Sequence, residues 1–285
     1  MEITFLGIGF DATLMMQLLE RNISAHYIAI SSESLDLEQY EGEKVRYICR
    51  PSVDAAALRI LAKTKKNTKN SDIVFLLSEI TGKNKEDIIC KIAEGLENKT
   101  VISVVWYSKQ KHGQQGISNT LDRLGACSSV VAIPYSKLTT LLSLVTEYVE
   151  QILRMYNLPY VNTEPEIGKR IIGEGGLLHL VHREVDIGNL NRENERFSWG
   201  MAGIGYSVEL DTLLEYGHSA LLHLTVPKVT PPETIQYVCE YIFSQLGDEE
   251  EFNFNISVDN ELADTVIIEL LVTDTVTQKE TEFWF

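Results

Sequence analysis

The feature that most constrains the fold is the apolar run at residues 72–77, Asp-Ile-Val-Phe-Leu-Leu, which has no polar side chain after its first position. A strand of this kind is buried on both faces, and such strands occur in parallel sheets covered by helices. Further strand-like runs lie at residues 3–7, 26–30, 45–48, 100–106 and 129–134. Helical patterns lie between most of them, at residues 12–21, 54–64, 85–97 and 117–124. This alternation predicts an α/β fold with a doubly wound, mostly parallel sheet, which binds ligands at the carboxyl ends of its strands.

The pattern changes in the second half of the chain. Residues 137–156 form one long helical pattern that ends before Pro159, and residues 162–194 are rich in glycine, carboxylates and turn residues. Three strands and one helix that begins at a proline pair follow, at 219–226, 231–246, 253–258 and 265–272. This order is typical of a smaller α+β domain. We therefore divide the chain into a nucleotide-binding-type domain (1–136), a central helix (137–158), a linking region (159–200) and a C-terminal α+β domain (201–285).

Charge and composition exclude several partners. The formal net charge of −16 would repel a nucleic-acid backbone, and the basic run of Lys63, Lys65, Lys66 and Lys69 is interpreted as a solvated helix end. No apolar stretch is long enough to span a bilayer, so we expect no membrane insertion. The first residues lack the features of a signal peptide, and the four cysteines have no CxxC spacing. We expect reduced thiols and a cytoplasmic protein.

Four strings along the chain are similar to strings of one family. Residues 29–35, Ala-Ile-Ser-Ser-Glu-Ser-Leu, and 130–138, Val-Val-Ala-Ile-Pro-Tyr-Ser-Lys-Leu, resemble the second-strand string and the string before the central helix of the FtsZ/tubulin superfamily. Residues 217–225 and 254–266 resemble strand segments of that family's C-terminal domain. The strings follow the family's order over most of the chain. The resemblance implies a cytoskeletal fold, GTP or GDP as ligand, head-to-tail filaments and a role in cell division.

The family's first phosphate loop is a run of glycines followed by Asn-Ala, whereas residues 7–13 of this chain read Gly-Ile-Gly-Phe-Asp-Ala-Thr. Backbone amides converge on a phosphate where glycines let the main chain approach it closely. Gly7, Gly9 and Thr13 are the candidate nucleotide contacts of this loop. A bulky phenylalanine and the anionic Asp11 lie inside the turn, and Asp11 would repel a nearby phosphate.

The family's glycine-rich signature loop is expected directly after the strand that ends at residue 77. Residues 78–87 have one glycine and read Ser-Glu-Ile-Thr-Gly-Lys-Asn-Lys-Glu-Asp. Thr81, Gly82 and Lys83 are the candidate nucleotide contacts here. Gly82 and Lys83 also match the end of a P-loop, but the upstream glycine and the hydroxyl residue after the lysine are absent. A plain turn and helix start at residues 82–86 is the alternative.

Three residues elsewhere complete the candidate nucleotide site. Glu33 belongs to the second-strand string. Arg50 lies where the family has an Asn-Pro-Glu string, and a guanidinium can bind a phosphate through two hydrogen bonds. Glu147 lies where the family places an Asn-Asp pair against the guanine. A carboxylate can bond a guanine edge, but an ordinary exposed helix residue is the alternative reading of Glu147.

The family completes its GTPase site when an NxDxxD loop of one subunit orients water at the nucleotide of the next. Residues 162–167 read Asn-Thr-Glu-Pro-Glu-Ile. Asn162 and Glu164 occupy matching positions, Ile167 replaces the second acid, and Glu166 stands one residue early. If hydrolysis occurs, we predict Glu164 as the main catalytic residue, with Asn162 and Glu166. An acidic surface loop without catalytic function is the alternative.

The histidines suggest no metal centre. His179 and His182 are three residues apart and would share a helix face as ligands, but no second ligand pair has metal spacing, so no metal is predicted. Polar positions at an interface are the alternative reading of the pair. His218 and His223 bracket a predicted strand and are interpreted as structural residues.

Three functional hypotheses follow. The first is an FtsZ/tubulin-like cytoskeletal or scaffold subunit with weakened or lost GTP binding and hydrolysis, which self-assembles head to tail. The second is a GTP-binding GTPase that uses altered contacts such as Arg50, Lys83 and Glu164. The third is a non-polymerising regulator that binds a true FtsZ-like partner.

Overall fold

The structure is a computed structural model that describes residues 1–47, 52–81, 83–96, 99–108, 114–161, 166–187, 217–246 and 251–274. Arg50, Gly82, Asn162 and Glu164 lie outside the described residues. Within them, no helix is long and apolar enough to cross a membrane. Cys90, Cys127 and Cys239 are free thiols, of which Cys90 is buried.

Strands and helices alternate through the first half of the chain. The elements are β1 (Ile3–Ile8), α1 (Phe10–Leu19), β2 (His26–Ser31), α2 (Ser34–Glu38), β3 (Glu43–Arg46), α3 (Val53–Thr68), β4 (Ile73–Glu79), α4 (Lys83–Glu94), β5 (Thr100–Tyr107), α5 (Gln114–Gly125) and β6 (Ser129–Pro134). The second half contains α6 (Leu138–Asn157), α7 (Ile167–Gly173), β7 (Gly176–Asp186), β8 (Ser219–Val226), α8 (Pro232–Gln245), β9 (Glu251–Val258) and β10 (Thr265–Asp274).

All ten strands of the described residues belong to one sheet, in the order β3-β2-β1-β4-β5-β6-β7-β10-β8-β9. Strands β1 to β6 are parallel, whereas β10 pairs antiparallel with both β7 and β8. The two halves meet where β7 pairs with β6 at only two positions, Ser129↔Gly176 and Val130↔Leu177. The predicted class, a doubly wound mostly parallel domain followed by a long helix and a smaller α+β part, is confirmed.

Apolar side chains fill both faces of the parallel strands. One face packs against α1, α6 and α7, and on it the ring of Phe5 stacks on those of Tyr27 and Phe75 with centroid distances of 4.9 Å. The opposite face packs against α3, α4 and α5. A separate apolar cluster lies between α8 and the C-terminal strands. Burial on both faces explains why the strands read as continuous apolar runs.

The prediction for residues 162–194 is wrong in one important respect, because Gly176–Asp186 form the strand β7. The first six residues of β7 are all buried, so the segment lacks the alternation of a half-exposed strand. His179 and His182 therefore do not share a helix face. Residues three apart on a strand point to opposite faces of the sheet, so the shared helix face that His179 and His182 would need as a ligand pair does not exist.

The junction of the two halves depends on Gly175, whose φ is +96°. Its amide donates to Ser129 Oγ at 3.1 Å, and a Cβ added to it would lie 2.9 Å from the carbonyl oxygen of Gly125.

We expect Gly175→Ala to lower the free energy of unfolding by about 1–3 kcal/mol, measured by chemical denaturation. The matched control is Gly173→Ala at the end of α7. There the new methyl meets its nearest neighbour at an ordinary 3.4 Å, and an unchanged or higher stability is expected. Equal losses in both variants would contradict the prediction.

Candidate functional site

The carboxyl ends of β1, β2 and β4 come together at one edge of the sheet. The Gly9 amide donates to the carbonyl of Ile30 at 2.8 Å, which joins the loops after β1 and β2. Ser31 Oγ donates to Asp36 Oδ2 at 2.5 Å and accepts from the Glu33 amide at 3.1 Å. These hydrogen bonds shape the loop between β2 and α2. The edge is where an open α/β sheet binds its ligand.

The loop between β1 and α1 turns at Gly9, whose φ of +94° and ψ of 178° are accessible to glycine alone. Thr13 is buried, and its amide and hydroxyl both donate to the Gly9 carbonyl, at 3.1 and 3.0 Å. Gly7 lies inside β1, where a Cβ would come within 2.7 Å of Met16 Cε. The hydroxyl of Thr13 thus caps its own loop, and Gly7 allows α1 to pack closely on β1.

A lysine that the sequence did not single out lies against this loop. Lys85, in the first turn of α4, is half-buried, and its Nζ lies 2.8 Å from the position that a Cβ on Gly9 would occupy. Burial lowers the pKa of Lys85, and the carboxylates of Glu79, Asp11 and Asp36 oppose that shift. The ammonium therefore lies among three acids that come from three different elements or loops.

Glu79, the last residue of β4, is 9% exposed, and its Oε1 accepts a hydrogen bond of 2.5 Å from the Tyr135 hydroxyl. Tyr135 follows β6, and its amide donates to the carbonyl of Tyr107 at 3.0 Å. Burial, together with the bond to Glu79, raises the pKa of Tyr135, which stays a neutral donor. The hydrogen bond from Tyr135 thus fixes the carboxylate of Glu79 at the carboxyl end of β4.

The charges of this edge are unfavourable for a polyphosphate. The carboxylates of Glu79, Asp11 and Asp36 all act electrostatically on the one ammonium of Lys85, so negative charge exceeds positive charge among these four groups. A phosphate charge about 4 Å from one carboxylate would be disfavoured by about 4 kcal/mol at an effective dielectric constant of about 20. A nucleotide would also have to displace the Lys85 side chain from Gly9.

The described candidates fall into two groups. Gly7, Gly9 and Thr13 lie in and after β1, exposed Glu33 follows β2, exposed Thr81 follows β4, and Lys83 begins α4, so all six belong to the same edge. Glu166 lies before α7 with a left-handed φ of 78°, and its Oε1 accepts from Lys169 Nζ at 2.5 Å. Glu147 lies nine residues into α6, about 14 Å along the helix from its start. Its carboxylate helps raise the pKa of His182 on β7.

A second polar cluster lies on the C-terminal strands. His182 on β7 and His223 on β8 are the direct register neighbours of Glu269 on β10. Glu269 is 3% exposed, and its Oε1 accepts from Arg154 of α6 and lies 3.7 Å from His182 Nδ1. Burial opposes ionisation of Glu269, but hydrogen bonds from His182, His223 and Arg154 outweigh it and hold the pKa of this carboxyl far below its usual range. The cluster therefore contains a buried carboxylate ion.

The two histidines of β7 have opposite environments. His179 is buried, its Nε2 lies 4.0 Å from Asp274 Oδ2, and burial lowers its pKa to about 3, so it is neutral. The nearby carboxylate of Glu269 raises the pKa of His182 on the other face. Within the described part of the chain, no group of three or more His, Cys, Asp or Glu residues is arranged to hold a metal ion.

The raised pKa of His182 predicts a pH-dependent contribution to stability. The stability that protonated His182 contributes is fully present at pH values below its unfolded pKa of about 6.5. This contribution is lost as the pH rises through the raised pKa of the folded state. We expect His182→Asn to lower the free energy of unfolding near pH 6 by less than about 1 kcal/mol, since a third of the side chain is exposed, and by less still at pH 8. His26→Asn, at an exposed position in β2, is the control, and denaturation curves at both pH values give the comparison. A loss that grows with pH would contradict the prediction.

No protein-family model matches the sequence, and no curated protein matches it. Solved structures do match over nearly the whole chain. An empty FtsZ dimer from M. jannaschii has a TM-score of 0.65 at 18% identity, covering 98% of this chain and 89% of that one. A GTPgS-bound CetZ protofilament from Haloferax volcanii has a TM-score of 0.71 at 11% identity, covering 99% and 96%.

A third match is to GDP-form protofilaments of TubZ from Bacillus thuringiensis serovar israelensis, with a TM-score of 0.72 at 10% identity, covering 99% of this chain and 88% of that one. At such low identities the likeness concerns the fold. The chain has the fold of the FtsZ/tubulin superfamily, in a divergent form.

Proposed function

We propose that this chain is a cytoplasmic cytoskeletal or scaffold subunit of the FtsZ/tubulin type in which GTP binding and hydrolysis are weakened or lost. The observation that carries the proposal is the half-buried Lys85 side chain, whose ammonium lies against Gly9 in the first candidate phosphate loop. The negative charges of Glu79, Asp11 and Asp36 act on this ammonium and favour its charged form. The cation therefore occupies part of the space beside Gly9 in which a phosphate would bind.

Self-association is the second part of the proposal. The CetZ and TubZ relatives form protofilaments and the FtsZ relative is a dimer, which supports head-to-tail assembly of this chain as well. Because Lys85 already occupies part of the space beside Gly9, we expect assembly to be independent of nucleotide. Glu166, exposed before α7, is the described residue of the predicted assembly loop. If the chain does not assemble with itself, the corresponding proposal is a regulator that binds the filament of an FtsZ-like partner.

A second candidate function is a GTPase with altered contacts, because the same Lys85 ammonium could serve as the phosphate ligand beside the first turn of α1. The two candidates differ in what the purified protein contains. The proposed function predicts substoichiometric nucleotide and a dissociation constant for GTP on the order of 1 mM or weaker. The GTPase predicts tightly retained nucleotide that turns over.

The test combines nucleotide analysis, equilibrium binding of a fluorescent GTP analogue, and sedimentation with electron microscopy. We expect polymers in equal amounts with GTP, with GDP and without nucleotide. Single particles under every condition would contradict self-assembly, and co-sedimentation with an FtsZ-like protein would then identify a regulator. Stoichiometric GTP with turnover would contradict the loss of nucleotide binding.

A further inference from the structure

Three side chains on neighbouring strands are hydrogen-bonded in series. Ser257 Oγ on β9 lies 3.0 Å from His223 Nε2 on β8, and His223 Nδ1 lies 3.0 Å from Glu269 Oε2 on β10. His223 is directly opposite Glu269, whereas Ser257 is the register partner of Thr225, two residues further along β8. The three residues are far apart in sequence, so no short motif reveals them. A hydroxyl, an imidazole and a carboxylate in this order are the geometric signature of an activated nucleophile.

The proton positions in this chain of bonds follow from the charge of Glu269. An ionised carboxylate only accepts, so His223 Nδ1 carries the proton that is donated to it. In the neutral imidazole Nε2 is then an acceptor, and Ser257 must donate its hydroxyl proton to it. Thr225 Oγ1, 3.1 Å from Ser257 Oγ, is left as the donor of that third bond. The hydroxyl proton of Ser257 therefore points at a base.

Neighbouring side chains fix the position of the base His223, and the nucleophile Ser257 is more exposed than that base. Arg154 and His182 contact Oε1 of Glu269, which leaves Oε2 to His223. His223 is 7% exposed, whereas Ser257 is half-buried on β9, the edge strand of the sheet, beside Val258, which is 60% exposed. Among the described residues, Ser257 is therefore partly accessible to solvent, while His223 is shielded.

We propose that Ser257 is a nucleophile activated by His223, with Glu269 as a positioning residue, and that it accepts the acyl group of an ester. In the step, an Oγ–C bond to the acyl carbon forms and the C–O bond to the alcohol breaks. His223 Nε2 takes the proton from Ser257 and returns it to the leaving alkoxide, so the products are acyl-Ser257 and an alcohol. No co-reactant is needed. The activity is additional to the proposed assembly function and does not depend on it.

A fluorophosphonate probe tests the proposal, because it reacts by the same attack: an Oγ–P bond forms, the P–F bond breaks and fluoride leaves. Labelling of the full chain is followed over time by mass spectrometry of its peptides. We expect Ser257 to react at least tenfold faster than the other hydroxyls, since a general base contributes about 10²–10⁴-fold. Ser257→Ala should abolish this label and His223→Gln should slow it at least tenfold. Ser143→Ala, at an exposed position in α6, should change nothing.

Two outcomes would overturn the proposal. One is labelling of Ser257 no faster than that of Ser143 in wild-type protein whose circular dichroism shows it to be folded. The other is a rate at Ser257 that His223→Gln leaves unchanged. The role of Glu269 has its own readout, the ¹⁵N chemical shifts of the His223 ring, which report its tautomer without a mutation. We expect the Nδ1–H form, and the Nε2–H form would overturn the assigned positioning role.

Discussion

Replacing Glu269 with Gln is expected to lower the free energy of unfolding by about 3–5 kcal/mol, the loss typical of removing one partner from a buried ion pair. The amide would leave Arg154, His182 and His223 facing a neutral group that is 3% exposed. Denaturant titration at neutral pH measures the effect. The matched control is Glu184→Gln, an exposed carboxylate on β7 close to the same cluster, for which a change within about 0.5 kcal/mol is expected.

The pH dependence of this loss follows from the lowered pKa of Glu269. A carboxyl with a depressed folded pKa contributes stability above its unfolded pKa, about 4.3, and that contribution is lost as the pH falls toward the folded value. The difference between wild type and Glu269→Gln should therefore shrink below about pH 4. A difference that is constant from pH 3 to pH 7 would show that the variant loses packing rather than charge.

The second large effect is expected at Lys85. Lys85→Met keeps most of the side-chain volume but leaves Asp11, Asp36 and Glu79 without the ammonium. Because the site is only half-buried, we expect a loss of about 2 kcal/mol in unfolding free energy, below the range for fully buried pairs. Lys91→Met, in the exposed part of the same helix, should leave the unfolding free energy nearly unchanged.

Two further measurements separate the charge of Lys85 from its packing. In Lys85→Ala, ethylammonium should raise the melting temperature more than sodium chloride at equal ionic strength, since the small cation can enter the space left among the carboxylates. Equal effects of both salts would contradict a cation-binding cluster. GTP affinity should stay very weak in Lys85→Met. A strong wild-type affinity that this variant loses would instead support the GTPase candidate.

The sequence predicted the first half of the fold because each strand of β1 to β6 is short, apolar and separated from the next by turn residues. It missed β7, whose Leu-Leu-His-Leu-Val-His run includes the buried His179 within a fully buried stretch and has no period of two. The short helices α2 and α7 were also missed, since five or seven residues show little periodicity.

The loops after β1, β2 and β4 meet at one edge of the sheet, as the alternation of strands and helices predicts. Lys85 is not among the residues that the sequence singles out. Its contact with Gly9 depends on where α4 begins and on the direction in which its first turn points, and neither follows from local sequence. The Glu269 cluster was missed for a related reason. Its members are neighbours only through the register of β7, β10 and β8, which a single sequence does not specify.

The two-residue seam between β6 and β7 has a mechanical consequence. There the sheet is joined by the register pairs Ser129↔Gly176 and Val130↔Leu177. The long helix α6 crosses this junction, because its apolar residues share one core cluster with the parallel strands and with β7, β8 and β10. Its Gln151 and Arg154 also donate hydrogen bonds to β7 and β10. We therefore expect a force that separates the two halves to act on the packing and side-chain bonds of α6 as well as on the two register pairs.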